Sequence, residues 1–262
     1  MALLACLKWS TLLVVKHKFH GRKMKPEEFK QYLADRGVEL TDQKVTQFQQ
    51  YFKFLVETNE HVNLTAITAE EDVYLKHFLD SILPLLELPA AFVQNARVID
   101  IGAGAGFPSL PIKILRPDLT VTIVDSLNKR IKFLGDLVIM LSLDNVELVH
   151  GRAEDVGQDR RYREKYDLVT ARAVARLNTL SEYCLPFAKV GGAFVALKGP
   201  RGESELQDSA TAIAKLGGKL RTNQVVTLPE TAEQRMLTVI DKVKATPKKY
   251  PRQAGMPNKK PL

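Results

Sequence analysis

Cysteine and long apolar runs are scarce in this chain of 262 residues. Two cysteines, Cys6 and Cys184, are too few for a disulfide framework, which suits a reducing compartment. No window reaches the roughly 18 consecutive apolar residues that a membrane-spanning helix requires. No cluster of metal-ligating residues surrounds His77 in the sequence. We expect a cytoplasmic, monomeric protein that uses neither a membrane nor a metal.

Residues 1–23 contain a short apolar stretch that imitates a signal peptide. Their charges lie within and after that stretch rather than before it, and no small-residue cleavage site follows. Met24 precedes Lys25-Pro26 and a pair of acidic residues, a pattern typical of a helix start. We predict that residues 1–23 are a dispensable upstream extension.

Both ends of the chain are basic, whereas the centre is nearly balanced, and the net charge is +8. Residues 1–23 contain no acidic residue. The second basic cluster consists of Lys242, Lys244, Lys248, Lys249, Arg252, Lys259 and Lys260. Such ends suit a polyanionic partner such as nucleic acid, although lysines kept for solubility would explain them equally well.

The apolar pattern changes along the chain from helical spacing to alternating strands and helices. Residues 24–90 form a helical N-terminal region, with Asp42 as a helix cap and a linker over Asn59–Ile67. Residues 91–246 predict a doubly wound α/β domain with a mostly parallel seven-stranded sheet, whose final two strands pair as a hairpin. The basic tail, residues 247–262, has the composition of a loosely ordered segment. The predicted strands are 97–101, 120–125, 145–149, 166–171, 192–198, 221–228 and 235–243, and the predicted helices of this domain are 109–115, 128–141, 178–188 and 203–216.

A glycine-rich turn follows the first predicted strand, which ends in Asp100 and Ile101. Gly102, Gly104 and Gly106 allow a ligand to approach the backbone closely, because no Cβ intervenes. A second strand ends in Asp125, placed as the acid that binds ribose hydroxyls in nucleotide-binding βαβ units.

The residue that follows the third glycine indicates which class of nucleotide ligand the loop can bind. A dinucleotide-binding loop carries glycine at the sixth place, where this chain has Phe107. A bulky ring there would crowd a pyrophosphate. This disfavours a nicotinamide oxidoreductase and favours a ligand without phosphates, such as S-adenosylmethionine.

Several further motifs occur in a specific order along the chain. They are Asn63-Leu64-Thr65, His77-Phe78-Leu79-Asp80-Ser81, the Asp100–Pro108 loop, Gly151-Arg152-Ala153-Glu154, Ala171-Arg172-Ala173-Val174-Ala175, Lys198-Gly199-Pro200 and Tyr250-Pro251-Arg252. From about Met24 to Leu262 the chain closely resembles the bacterial small-subunit (16S) ribosomal RNA methyltransferase G family, also called glucose-inhibited division protein B. It departs from the usual pattern at Ala103, where threonine is frequent, and at Ser109, where glycine is frequent.

This resemblance implies a class I S-adenosylmethionine-dependent methyltransferase fold and methylation of guanine N7 in 16S ribosomal RNA or a small-subunit particle. By the family's pattern, cofactor contacts fall on Gly102, Phe107, Ala153, Glu154 and Arg172. We add Gly104 and Gly106 from the loop itself, and Asp125 from its place after the second strand.

The residues agree with a ring-nitrogen target. Guanine N7 has a lone pair and no proton, so its methylation requires alignment rather than a general base. Cys184 lies in a predicted helix and is interpreted as a core residue, which disfavours methylation at a pyrimidine carbon. The Asn/Asp-Pro-Pro-aromatic turn of amine methyltransferases is absent after the fourth strand. Arg172 occupies that place as the candidate catalytic residue.

The sequence allows more than one role for several of these residues. Arg172 could hold the methionine carboxylate or guanine O6, or it could close an ion pair. Arg176 and Lys198 are candidate RNA phosphate contacts, or solvated surface charges. Asp100 could bind loop amides or the cofactor's amino group. A catalytically idle RNA-binding or ribosome-assembly protein with the same fold is the alternative function.

Overall fold

The computed structural model describes residues 23–200, 202–229 and 231–262. The upstream extension predicted to be dispensable therefore lies outside the described residues, apart from Lys23. Within the described part of the chain, seven strands form one sheet in the order β3-β2-β1-β4-β5-β7-β6. The strands are β1 (Arg97–Ile101), β2 (Thr120–Asp125), β3 (Val146–His150), β4 (Tyr166–Arg172), β5 (Ala188–Lys198), β6 (Gly218–Thr227) and β7 (Gln234–Lys242).

The first five strands are parallel, and β7 runs antiparallel to both of its neighbours, β5 and β6. The strands are rich in β-branched residues that pack well on a pleated surface. The predicted doubly wound sheet and its terminal hairpin are confirmed.

Two layers of helices cover the sheet. The helices are α1 (Pro26–Ala34), α2 (Asp42–Val62), α3 (Glu70–Val73), α4 (Asp80–Glu87), α5 (Ser109–Leu115), α6 (Asn128–Met140), α7 (Ala153–Val156), α8 (Leu177–Cys184), α9 (Gly202–Lys215) and α10 (Met256–Lys259). A π-helical turn, Tyr74–Leu79, joins α3 directly to α4, and a short 3₁₀ turn, Pro89–Ala91, follows α4.

Successive residues of a strand face opposite layers, as the two-residue period requires. Val98 of β1 packs in one buried cluster with α1, α2, α4, α5 and α6. Its neighbour Ile99 packs in a second cluster with α8, α9 and Tyr250. The helical N-terminal region thus shares a continuous core with one face of the sheet.

Helix boundaries differ from the sequence prediction at three places. α2 begins at Asp42, and Thr41 rather than Asp42 caps it by accepting a bond from the Lys44 amide at 3.4 Å. The same helix continues to Val62, through the first half of the predicted linker. α8 ends at Cys184 instead of residue 188, because Pro186 has no N–H to continue the helical ladder.

The basic tail is packed rather than loosely ordered. Tyr250, Pro251 and Pro257 are buried, and α10 lies within this stretch. Two members of the second basic cluster, Lys242 at the end of β7 and Arg252 in the tail, are bound internally. Lys242 is 1% exposed and donates to the carbonyls of Leu185 and Ala188, while Arg252 pairs with the buried Glu182.

Candidate active site

A cleft of about 350 Å³ opens at the carboxyl ends of β1, β2 and β4. This is the edge at which open α/β sheets bind their ligands. The lining residues are Ile101, Gly102, Val124, Asp125, Ser126, Arg130, Gly151, Arg152, Ala153, Glu154, Ala173, Val174, Tyr183, Gly255 and Asn258. Gly102, Asp125, Ala153 and Glu154 were expected here from the sequence.

The glycine loop holds three residues at positive φ: Gly102 at 74°, Gly104 at 61° and Gly106 at 96°. A Cβ on Gly102 would lie 2.8 Å from Val174, whereas a Cβ on Gly104 would meet no atom within 4 Å. A Cβ on Gly106 would lie 2.6 Å from the Tyr51 hydroxyl. Gly102 therefore keeps the floor of the cleft open, and Gly106 admits a side chain from behind the loop.

That side chain comes from the N-terminal region and supports the loop. Tyr51 of α2 donates to the Ala105 carbonyl at 2.5 Å, and its ring stacks on Phe107 at 5.4 Å between centroids. His77 stacks on the same ring at 4.6 Å. Phe107 is only 5% exposed, and neither Phe107 nor Gly106 is among the residues that line the cleft.

Asp125 lines the cleft and is tied to the loop. One carboxylate oxygen accepts from the Gly104 amide at 3.1 Å, and the other accepts from the Leu127 amide at 2.9 Å. Arg130 pairs with it more loosely, at 3.4 Å. Oδ1 has a further lone pair that can accept a hydroxyl donor, whereas the second lone pair of Oδ2 is taken by the long contact with Arg130.

Ala153 and Glu154 form another wall of the cleft at the start of α7. Glu154 is 5% exposed, and its Oε1 accepts from the Gly255 amide at 2.8 Å. The partner belongs to the C-terminal tail, and no sequence pattern predicted the tail at this site.

Asp100 is fully buried behind the loop. Its Oδ2 accepts from the amide of Ser109, the first residue of α5, at 3.1 Å. Its Oδ1, together with Ser109 Oγ and Thr170 Oγ1, has no hydrogen-bond partner within the described residues. Burial raises the pKa of this carboxyl to about 7, although the bond from the Ser109 amide opposes the rise.

Arg172 is bound in a polar network next to the cleft, not in its lining. Its guanidinium donates to Asp80 Oδ2 at 2.9 Å and to the Lys76 carbonyl at 3.2 Å, and it lies over the Phe107 ring. Arg235 pairs with the other oxygen of Asp80 at 2.7 Å. The structure therefore shows the third alternative for Arg172, an ion pair. The Arg172 side chain is 13% exposed, so this pair is largely buried.

His77 belongs to the same network as a neutral ring. Burial and the nearby Arg172 lower its pKa to about 3. Arg172 can only donate, so its 3.4 Å contact makes His77 Nδ1 an acceptor, and Nε2–H then faces Thr65 Oγ1 at 2.8 Å.

The two candidate RNA contacts differ in their exposure. Arg176 is 64% exposed and pairs with Asp208 at the surface. Lys198 is 8% exposed, pairs with Glu205 at 2.8 Å and donates to the Ala175 carbonyl. Burial and this ion pair place Lys198 inside the molecule, where a phosphate contact would have to displace Glu205.

Sequence reasoning missed part of the cleft wall. Ala173 and Val174 directly follow β4, so the rule that ligands bind at strand ends could have identified them. Arg130 lies one turn into the helix after Asp125 and could have been found in the same way. Gly255 and Asn258 carried no local signal, because their neighbours in the cleft are distant in the chain.

Within residues 23–200, 202–229 and 231–262, no helix is long and apolar enough to span a bilayer. The same residues contain no group of three or more His, Cys, Asp or Glu side chains arranged to hold a metal ion.

The chain is similar to known proteins over most of its length. Residues 44–237 match the family model described as rRNA small subunit methyltransferase G. Proteins named ribosomal RNA small subunit methyltransferase G from Lactobacillus delbrueckii subsp. bulgaricus and Lactobacillus helveticus are 63% and 60% identical, each over 239 residues. Both alignments cover 91% of this chain and 100% of the relative.

Solved structures are similar at lower identity. A putative transferase from Pyrococcus horikoshii aligns with a TM-score of 0.50 and 14% identity, covering 62% of this chain and 64% of that one. A SAM dependent methyltransferase from Aquifex aeolicus aligns with a TM-score of 0.46 and 18% identity, covering 62% and 91%. The strand order and the antiparallel β7 are those of a class I methyltransferase fold. The family match covers most of the chain, and the chain belongs to the rRNA small subunit methyltransferase G family.

Proposed function

We propose that this protein transfers a methyl group from S-adenosylmethionine to N7 of one guanosine in 16S ribosomal RNA. The observation that carries the proposal is the buried Asp125 carboxylate at the mouth of the cleft in a member of this family. Such a carboxylate binds the two ribose hydroxyls of a nucleoside cofactor.

The residues of the cleft fit that cofactor. Gly102 leaves the floor free of a side chain, and the cleft volume of about 350 Å³ suits a small-molecule ligand. Asp125 would hold the ribose, and Ala153 with Glu154 would flank the adenine. The bound cofactor supplies an electrophilic methyl group on a sulfonium.

The protein's own task is then to align the base with that methyl group. His77 and Cys184 are both unsuited to act as a general base or a nucleophile. His77 is neutral, buried and bound on both nitrogens, and Cys184 is fully buried with a pKa raised well above its ordinary value. A target atom with a free lone pair and no proton, such as guanine N7, needs neither.

Arg172 acts as a positioning residue in this proposal. Its bonds to Asp80 and the Lys76 carbonyl hold the π-helical turn against Phe107, beneath the glycine loop. RNA enters between this turn and the carboxyl edge of the sheet. The exposed Arg176 can exchange Asp208 for a phosphate, whereas Lys198 would have to leave Glu205.

A labelling experiment tests the function. Small subunits from cells lacking the gene are incubated with the purified protein and methyl-labelled S-adenosylmethionine, and the extracted 16S RNA is treated with borohydride and aniline. A cationic N7-methylguanosine makes the chain cleave at one position. Label without cleavage would contradict the N7 target, and absence of label would contradict methylation of this RNA.

Methyl transfer and RNA binding should depend differently on pH and on salt. The rate of the chemical step stays nearly constant between about pH 7 and 9, because N7 has no proton to lose. Binding of RNA weakens steeply with salt because phosphate contacts release counterions, whereas cofactor binding changes much less. Small ribosomal subunits are the partner, and we infer that the protein meets them in the cytoplasm.

A further inference from the structure

The C-terminal segment, residues 246–262, is fastened to the domain by a buried ion pair. Arg252 Nη2 lies 2.6 Å from Glu182 Oε2, and the Arg252 amide and Nε both donate to Glu182 Oε1, at 2.8 and 2.9 Å. Glu182 is 1% exposed. A buried carboxylate with this many donors fixes the position of its partner closely.

Two further side chains bind the backbone of this segment. The Arg163 guanidinium donates to the carbonyls of Thr246 at 2.8 Å and Tyr250 at 2.7 Å. Gln158 Nε2 donates to the Pro251 carbonyl at 2.7 Å. These contacts hold the segment on the outer side of α7, next to the cleft.

From there the segment reaches the cleft itself. The Gly255 amide donates to Glu154 Oε1, and both Gly255 and Asn258 line the cleft. Gly255 has a φ of 83°, and a Cβ there would meet nothing within 4 Å. The backbone conformation that points its amide at Glu154 therefore favours glycine, while the space beside it is open.

We infer that the C-terminal segment is part of the cofactor site. Gly255 and Asn258 form the wall that completes the adenine end of the cleft, and Arg252 is a positioning residue that holds them there. This inference rests on the proposed function, because it names the cofactor that the wall would contact. It assigns the basic tail to cofactor binding rather than to RNA binding.

Titration calorimetry with S-adenosylmethionine tests the inference on purified full-length protein and three variants. Asn258→Ala removes one wall residue, and we expect its Kd to rise about fivefold, as for loss of one hydrogen bond. Arg252→Gln releases the segment, and we expect a rise of about tenfold or more in Kd. Arg161→Gln is the matched control, because Arg161 pairs with Asp159 at an exposed site nearby.

Kinetics separate positioning from a general loss of folding. Arg252→Gln raises the KM for S-adenosylmethionine while kcat at saturation and the KM for RNA stay within about twofold of the parent. A truncation after Gln253 keeps the Glu182–Arg252 pair but removes Gly255 and Asn258, and we expect it to fold and to bind the cofactor weakly.

The outcomes are distinct. Parental cofactor affinity in both Asn258→Ala and the folded truncation would overturn the inference. A raised KM for RNA with an unchanged KM for the cofactor would overturn it as well, in favour of an RNA-binding tail. Failure of the parent protein to bind S-adenosylmethionine would instead contradict the proposed function.

Discussion

Asp125 connects the glycine loop, the start of α6 and the cleft through one carboxylate. It accepts from the Gly104 and Leu127 amides, and it lines the cleft. Its proposed role in cofactor binding is thus combined with a role in shaping the loop.

Replacing this residue tests the cofactor site directly. We expect Asp125→Ala to weaken S-adenosylmethionine binding by roughly 1–3 kcal/mol, the cost of an unmet polar partner. Asp136→Ala, which removes an exposed carboxylate on α6, serves as the control in the same calorimetric titration. Equal affinities of the two variants would remove Asp125 from the site.

Asp100 makes the stability of the protein depend on pH. Its pKa is about 7 in the folded chain and about 3.8 in an unfolded one, so unfolding releases a proton between those values. The free energy of unfolding contributed by this group therefore falls as pH rises from about 4 to 7. We expect Asp100→Asn, which does not titrate, to gain stability relative to the parent across that window.

Melting temperatures of parent and Asp100→Asn at pH 4.5 and 8 measure this difference. His77 has a lowered pKa and changes stability in the opposite direction, but it is present in both proteins and cancels in the comparison. A difference in melting temperature that does not change with pH would contradict the raised pKa of Asp100.

At the scale of single residues, the sequence was most informative where function depends on local chain geometry. Gly102, Asp125 and Glu154 line one cleft because each lies at or just after the end of a parallel strand, and their contact with a cofactor stays a prediction. Arg172 was harder to interpret, because its partner Asp80 lies 92 positions away and no local pattern records that pairing.

The glycine loop shows how one element supports another. α2 contributes Tyr51, which bonds to Ala105 and occupies the space that a Cβ on Gly106 would need. The loop conformation is thus determined partly by a helix of the N-terminal region.

A pair of alanine substitutions measures this support. We expect Gly104→Ala to cost about 1–2 kcal/mol of unfolding free energy, because only its left-handed conformation is strained. Gly106→Ala should cost about 3 kcal/mol or more, since overlap with Tyr51 and Leu110 adds to the strain. Urea unfolding measures the loss of unfolding free energy in each variant. Equal losses would contradict the packing role of Tyr51.

Elements were predictable where their signals are local. The β-branched runs predicted β1 and β2 to the residue, and helical spacing predicted α5, α6, α8 and α9, whereas the single turn α7 was not predicted. The packed tail was missed because its composition resembles a solvated segment, while the carboxylate that binds Arg252 is on α8, 70 positions earlier. The π-helical turn likewise has no distinct apolar pattern.

The whole molecule is held together at the boundary between its N-terminal helices and the sheet. Asp80 pairs there with Arg172 of β4 and Arg235 of β7, and all three side chains are largely buried. The N-terminal region is therefore joined to two strands through one carboxylate.

Loss of this carboxylate should destabilise the molecule strongly. We expect Asp80→Asn to lower the free energy of unfolding by about 3 kcal/mol or more, because two buried guanidinium groups lose their counter-charge. Asp72→Asn, which breaks the more exposed pair with Lys76 in the same helical stretch, should cost about 1 kcal/mol or less. Chemical denaturation measures the free energy of unfolding of both variants. Similar losses in the two would show that the Asp80 network adds little to stability.

Deleting residues 1–23 should leave the melting temperature and the methylation rate unchanged. In the described chain this deletion removes only the pair between Lys23 and Glu71, which is 3.4 Å long and exposed. The buried Met24 and its bond to the Glu71 carbonyl remain. A large loss of stability or of methylation would show that the segment belongs to the fold.

The position of β7 also constrains how the sheet can be assembled and taken apart. β7 follows β6 in sequence but lies between β5 and β6, and within the described chain β6 pairs with no other strand. During folding, β6 can join the sheet only as half of a hairpin that docks on β5. On opening, β7 cannot leave without releasing β6, so this edge of the molecule is gained and lost as one cooperative unit.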